Sequence, residues 1–306
     1  MTNWSASSLL VPILLQALLS TAHAKTVSGY LEIVPIYSSV SFEGKTESAG
    51  RCTGTFIHPR LVLTAAHCVR HFNANKMNDR VYRATDMSNQ PVPDLTAEPL
   101  QVYLPIAVWW GMKQIHPAYI HVSPLAIPVE RGDLSLDFVE QDLAILEFDT
   151  DFPNIRVLGE RSPRMGQAVT MIGFGSHGGR NGVAGGFGAV YPTKHGGENV
   201  LSMTELNMLV ANGSSETCDN PSPFAKDWAV CGGDSGGPLL DTDTGAILGV
   251  TSASVTFKDP AKGKRKLSVY TDVTSGPGSA FIREILELVK TRKPATPAAA
   301  AARRGD

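Results

Sequence analysis

The apolar residues of this chain come in short runs, each ended by Gly, Pro, Asn or Asp, and that pattern most limits its fold. Examples are Tyr30-Leu31-Glu32-Ile33-Val34-Pro35, Leu61-Val62-Leu63-Thr64, Leu143-Ala144-Ile145-Leu146 and Ala246-Ile247-Leu248-Gly249-Val250. Short strands with frequent turn signals point to an all-β sandwich or barrel. One segment reads as helix, residues 278–291, where Phe281, Ile282, Ile285, Leu286 and Val289 share a face. Residues 70–132 are Pro-rich and irregular, with a strand and helix mixture expected around 100–113. Residues 173–188 are Gly-rich and read as a mobile loop. The Pro/Ala-rich end, 292–306, reads as a disordered tail whose terminal Arg-Gly-Asp is ascribed to chance.

A chain of 306 residues with 42% apolar composition can bury one large two-lobed domain or two small ones. Its formal charge of -2 gives no global basic field, so nucleic acid is not an expected partner. Residues 9–19 are apolar except at Pro12 and Gln16 and fall short of the roughly 20 residues a membrane span needs. They lead to Thr21-Ala22-His23-Ala24, a small-x-small site, although residues 1–8 lack the usual Lys or Arg. The expectation is a signal peptide at 1–24, secretion to the extracellular space or periplasm, and no membrane anchor. Four cysteines in an exported chain suggest two disulfides.

Three local motifs carry the chemistry: Thr64-Ala65-Ala66-His67-Cys68, Asp142-Leu143-Ala144-Ile145-Leu146 and Gly233-Asp234-Ser235-Gly236-Gly237-Pro238. A serine hydroxyl is a poor nucleophile at neutral pH and needs a neighbouring base. Histidine ionises near neutrality and can be that base. A carboxylate can hold the imidazole in the correct tautomer and stabilise the imidazolium. In residues and order the motifs resemble the trypsin/chymotrypsin family of serine peptidases, over residues 26–291 with a gap in the first half. The resemblance implies a fold of two antiparallel six-stranded β-barrels with a C-terminal helix. The first barrel would occupy 26–150, with a long insertion at 72–131, and the second barrel and helix 151–291. It implies a catalytic triad of Ser235 as nucleophile, His67 as base then acid, and Asp142 as orienter. The backbone N–H groups of Gly233 and Ser235 would form the oxyanion hole.

Further assignments rest on the same resemblance. Asp234 would pair with an α-amino group released by zymogen activation. The matching start here is Thr26, after Lys25, where the family has Ile or Val; Lys25 would then be a one-residue propeptide. Cys52 and Cys68 match the family bridge beside the histidine. Cys231 lacks its usual downstream partner, which leaves Cys218; two free thiols are the competing reading. Gly173-Phe174-Gly175 matches a family Gly-Trp-Gly turn. At the base of the primary pocket, Ala229 stands where trypsin-like members that cut after Lys or Arg have Asp. Ser252-Ala253-Ser254 matches the segment that pairs with substrate as an added strand. Ser254 and Ser268 replace glycines, so a shallow, more polar pocket for a small uncharged residue is expected.

Other groups read as ordinary surface. His116 and His121 are expected at the surface, with no metal-ligand spacing, and neither metal nor cofactor is expected. Residues 258–266 form a basic hairpin taken as solvated. Asn212-Gly213-Ser214 is a glycosylation sequon. Protein or peptide substrates are the expected partners, with a protein inhibitor as a further candidate and a monomer as the assembly. Two rival functions are a non-catalytic binding module on the same fold and an esterase of another hydrolase fold. Against the latter stand the His, Asp, Ser order and the lack of a Gly-x-Ser-x-Gly elbow.

Overall fold

The computed structural model describes residues 29–42, 45–69, 106–110, 113–130, 137–176, 194–205, 207–214, 218 and 227–292. The signal segment, Lys25, Thr26 and the tail from 293 onward lie outside them.

The first lobe is built from β1 (Ile33–Phe42), β2 (Lys45–His58), β3 (Leu61–Thr64), β4 (Ile106–Trp110), β5 (Lys113–Ile115), β6 (Tyr119–Val122) and β9 (Ala144–Glu147). They form one seven-stranded sheet in the order β5-β4-β1-β2-β3-β9-β6, and every pair is antiparallel. Between β6 and β9, β7 (Ile127–Glu130) pairs with β8 (Asp137–Glu140) as a separate ribbon. The 100–113 stretch, read above as a strand and helix mixture, is strand in its described part. Within 72–131, the described residues extend the lobe's own sheet through β4, β5 and β6.

The second lobe closes fully. β10 (Ala168–Gly173), β11 (His195–Glu205), β12 (Met208–Ser214), β15 (Gly263–Asp272), β14 (Ile247–Asp259) and β13 (Pro238–Asp241) form a closed six-stranded barrel in that order. Closure removes exposed strand edges. Inside lies a core of Val169, Met171, Leu201, Leu209, Ala211, Trp228, Leu239, Leu248 and Tyr270. Gly197 and Gly213 lie so close to Trp228 that neither has room for a Cβ.

The larger core belongs to the first lobe and its interface. Phe56, Trp110, Phe148 and Phe152 stack at its centre, the Phe56 and Phe152 rings 4.7 Å apart. The C-terminal helix α1 (Gly276–Thr291) turns Phe281, Ile282, Ile285 and Val289 into this same core. Arg60 of the first lobe donates to the carbonyls of Val289 (2.9 Å) and Arg292 (3.2 Å), placing a cation at the helix C-terminus.

His121 does not sit at the surface as expected. It is fully buried, and its Nε2 lies 2.9 Å from Glu147 Oε2. β6 is buried on both faces from Ile120 to Val122, so either orientation buries this side chain, and a carboxylate partners the polar ring. The same Glu147 oxygen accepts from Arg292 at 2.7 Å, and Arg292 covers the Tyr119 ring. His116 is exposed, with Nδ1 2.9 Å from the Ile106 carbonyl oxygen. Asn212 of the sequon is half-buried in β12, its Oδ1 3.2 Å from Arg265 Nε.

Candidate active site

The apolar run of β3 is buried throughout, and Ala65 and Ala66 after it are fully buried too. Their small side chains let the chain tighten into a 3-10 turn, Ala66–Cys68, against β2. The Cys52–Cys68 disulfide ties this turn to β2. His67 therefore stands on a rigid base, with its side chain 30% exposed towards the cleft.

Asp142 comes from the loop before β9, whose first residue Ala144 pairs with Thr64 at the end of β3, so it meets His67 at the same end of the sheet. Gln141 has φ +50, a left-handed conformation that turns the chain just before β9. The Asp142 carboxylate is buried and accepts three hydrogen bonds: His67 N to Oδ1 at 2.9 Å, and His67 Nδ1 (2.7 Å) and Ser252 Oγ (2.6 Å) to Oδ2. Three donors compensate a charge that would otherwise be costly to bury. Ser252 reaches it from the second lobe at a β-bulge, where the β14–β15 register shifts between Thr251 and Ala253. Burial pushes the His67 pKa down. The Asp142 charge and its hydrogen bond outweigh that and leave it raised above the ordinary histidine value.

Ser235 lies in the turn between Cys231 and β13, and its residue is half-buried. Gly233 (φ +101) and Gly236 (φ +78) both take backbone angles that favour glycine. At Gly236 a Cβ would fall 2.1 Å from Thr64 Oγ1 and 2.4 Å from the Thr53 carbonyl oxygen. The turn is held on both flanks. Gly236 N donates to the Thr251 carbonyl at 2.7 Å, and Thr53 N donates to the Ser235 carbonyl at 2.7 Å. Among the described residues, the N–H groups of Gly233 and Ser235 donate to nothing within the chain. Nor does any hydrogen bond there join His67 Nε2 to Ser235 Oγ; Nε2 lies 3.9 Å from Cys68 Sγ.

Thr53, which sequence reasoning passed over, joins the two halves. Its Oγ1 donates to the Gly233 carbonyl at 3.0 Å and accepts from Phe174 N at 3.1 Å. Its place beside Cys52 was the one signal that could have found it. Asp234 turns its carboxylate inward and accepts from Gly175 N (2.7 Å) and Cys231 N (2.8 Å). Gly173 and Gly175 pack so closely on it that neither could carry a side chain. Residues 173–176, read above as the start of a mobile loop, are thus ordered against Asp234, while 177–188 lie outside the described residues. A small cavity bordered by Met171, Ile172, Trp228, Val230 and Asp234 opens beside this carboxylate.

A sequence profile for the trypsin-like peptidase domain matches residues 52–250. The chain belongs to the trypsin-like peptidase family. It is a serine endopeptidase that hydrolyses peptide bonds, so its substrates are proteins or peptides. Human kallikrein-2 is 27% identical to it over 235 residues, 72% of this chain and 76% of that protein. A solved structure of a Glu endopeptidase in complex with MPD shares the fold at TM-score 0.50 and 19% identity, covering 87% of this chain and 95% of that one. Neuropsin, a serine protease of mouse brain, aligns at TM-score 0.44 and 17% identity, covering 82% and 93%. The trypsin-like fold accounts for the pairing of a closed barrel, a seven-stranded companion sheet and a C-terminal helix.

Around the cleft of this trypsin-like peptidase, Ala229 and Ser268 are buried, Ala253 is half-buried and Ser254 is exposed. Ser254 and Ser268 face each other across β14 and β15. The Ser268 hydroxyl oxygen accepts from Val230 N at 3.0 Å, which ties it to the segment next to Ala229. Cys218 is bonded to Cys231, which holds the segment before Ser235. In the basic hairpin, Arg265 donates to Asp227 at 2.7 Å, so part of that charge is neutralised. Among the described residues, no helix is long and apolar enough to cross a membrane.

Proposed function

We propose that Ser235, His67 and Asp142 carry out peptide hydrolysis through an acyl-enzyme. The observation that carries this reading is the chain Ser252–Asp142–His67, which holds a partly exposed imidazole on the turn tied by Cys68 to Cys52, while Thr53 beside that cysteine anchors the Ser235 turn. In the first step Ser235 Oγ attacks the scissile carbonyl while His67 Nε2 takes its proton. The oxyanion forms against the Gly233 and Ser235 N–H groups, and each such donor is worth about 3 kcal/mol in the transition state. His67 then protonates the departing amine as the C–N bond breaks. Water, deprotonated by the same imidazole, releases the acid and restores Ser235. Contacts between base and nucleophile commonly tighten only when substrate enters.

The finer readings rest on the same frame. Ala229 at the pocket base leaves no anion for a basic side chain, and Ser254 and Ser268 occupy volume that glycines would leave open. Both support cleavage after small uncharged residues such as Ala, Ser, Thr or Val. The cavity beside Asp234 supports activation by a new N-terminus at Thr26, its α-amino group meeting that carboxylate. Lys194 adds to this: its ammonium donates to the Gly29 and Tyr30 carbonyls, holding the segment that leads back to Thr26. Two disulfides and a short apolar leader support secretion.

A fluorophosphonate probe should label the purified enzyme on Ser235, as located by peptide mass mapping, and S235A should take up none. Labelling elsewhere, or full turnover by S235A, sinks the assignment. A peptide library should show cleavage after small residues, and dominant cleavage after Lys or Arg would overturn the pocket reading. N-terminal sequencing of active enzyme should begin at Thr26; a start at Lys25 would remove the activation reading.

A further inference from the structure

We propose that Arg51 forms a carboxylate-binding subsite on the leaving-group side of the cleft, so that the enzyme favours substrates with Asp or Glu in the first two positions after the scissile bond. This rests on the assignment of Ser235 and Gly233 above and adds a substrate preference to it.

Arg51 lies on β2, one residue before the disulfide that anchors the His67 turn. It is half-buried, and its guanidinium reaches across to the second lobe, where it donates to Ser176 Oγ at 3.1 Å. It also hydrogen-bonds Tyr37. Its Nε is buried without a partner among the described residues, and lies 3.1 Å from where a Cβ on Gly233 would stand. The guanidinium thus packs directly on the residue whose N–H faces the reacting carbonyl.

Its charge is the unusual feature. Of the other described arginines that are not exposed, Arg60, Arg156, Arg265 and Arg292 each meet a carboxylate, from Asp151, Glu32, Asp227 and Glu147 respectively. Among the described residues Arg51 meets none; its partners are two neutral hydroxyls. A partly desolvated guanidinium without an anion is costly, and its planar fork suits a carboxylate. A matching anion would have to come from outside the described residues, and a bound substrate can supply one.

The side of the cleft follows from what flanks the nucleophile turn. β14 lies on one flank through Thr251, and β2 lies on the other through Thr53. A substrate that adds to Ser252-Ala253-Ser254 as a strand places its acyl half along β14. Past the scissile bond its chain must continue over Gly233 towards β2, where Arg51 waits. The first one or two side chains of the leaving half come within its reach.

The test uses quenched fluorescent peptides with Ala before the bond and Glu, Gln or Lys in the first two positions after it. Wild type should cleave the Glu peptides about tenfold more efficiently in kcat/KM than the Gln peptides, the size of one charge-assisted contact. Lys peptides should be poorest. Added salt should shrink the Glu/Gln ratio. R51Q should bring that ratio close to one, and R51K, which keeps the charge but not the fork, should fall between. Equal wild-type rates on Glu and Gln peptides would overturn the subsite while leaving the Ser235 mechanism intact. So would R51Q or R51K retaining the full preference. Should R51Q fail to fold, the wild-type salt dependence and the R51K ratio decide the matter. No cleavage of any peptide, with no fluorophosphonate labelling of Ser235, would overturn both.

Discussion

Thr53 Oγ1 donates to the Gly233 carbonyl across the boundary between the lobes, while the Thr53 backbone N–H holds the Ser235 carbonyl. One buried residue of the first lobe thus holds the turn that carries Ser235, the proposed nucleophile. Thr53→Val keeps the shape but removes the hydroxyl, leaving the Gly233 oxygen and Phe174 N–H without this partner. Stability should fall by about 2 kcal/mol, read from the urea midpoint at unchanged m. kcat should fall more than KM rises, because the turn that positions Gly233 N–H loosens.

In the proposed mechanism the His67 pKa sets the acid limb of the rate profile. Catalysis needs the neutral imidazole, so kcat/KM should rise with pH and reach its midpoint above about 6.5, the unperturbed histidine value. Asp142→Asn removes the charge that raises it and leaves the burial that lowers it. The midpoint should then drop below that value and kcat should fall about 10⁴-fold. Ser252→Ala does the reverse to the carboxylate: without the hydroxyl donor, Oδ2 carries more charge and pulls harder on the imidazolium. Its midpoint should move upward. The linkage sign is fixed as well. A raised folded-state pKa contributes stability that is complete below the unfolded value and is lost as pH climbs through the folded one.

Gly236 has no room to vary. Its φ of +78 and the approach of the Thr53 carbonyl and Thr64 hydroxyl both exclude a side chain. Gly236→Ala should destabilise the protein by about 2 kcal/mol or more through overpacking and backbone strain. Thermal unfolding checks this, and fluorophosphonate labelling of the variant should slow in parallel.

Glu147 holds two groups at once, His121 and Arg292, in a buried corner where α1 meets the first lobe. Glu147→Ala leaves Arg292 without its anion and should cost about 3 kcal/mol. The loss should appear as a lowered urea midpoint, with native-state hydrogen exchange increasing first in α1. Glu147→Gln, which keeps one acceptor, should cost less.

The readable part of this protein was local. Alternating and unbroken apolar runs marked strands, the spacing of Phe281, Ile282, Ile285 and Val289 marked the helix, and three short motifs marked the family. Each signal lies within a few residues, where backbone sterics and periodicity act directly. Burial of His121 was not readable, because the face of a four-residue strand is settled only by what covers it. Arg51 left no signal either, and Thr53 only its place beside Cys52. Both act on Gly233, about 180 residues away in the chain, and a contact over that distance exists only once the first lobe's sheet and the closed barrel of the second have packed. Local chemistry named the reactive groups; the packing of one lobe against the other decided which further side chains surround them, since hydrogen bonds and unpaired charge depend on separation in space and not along the chain.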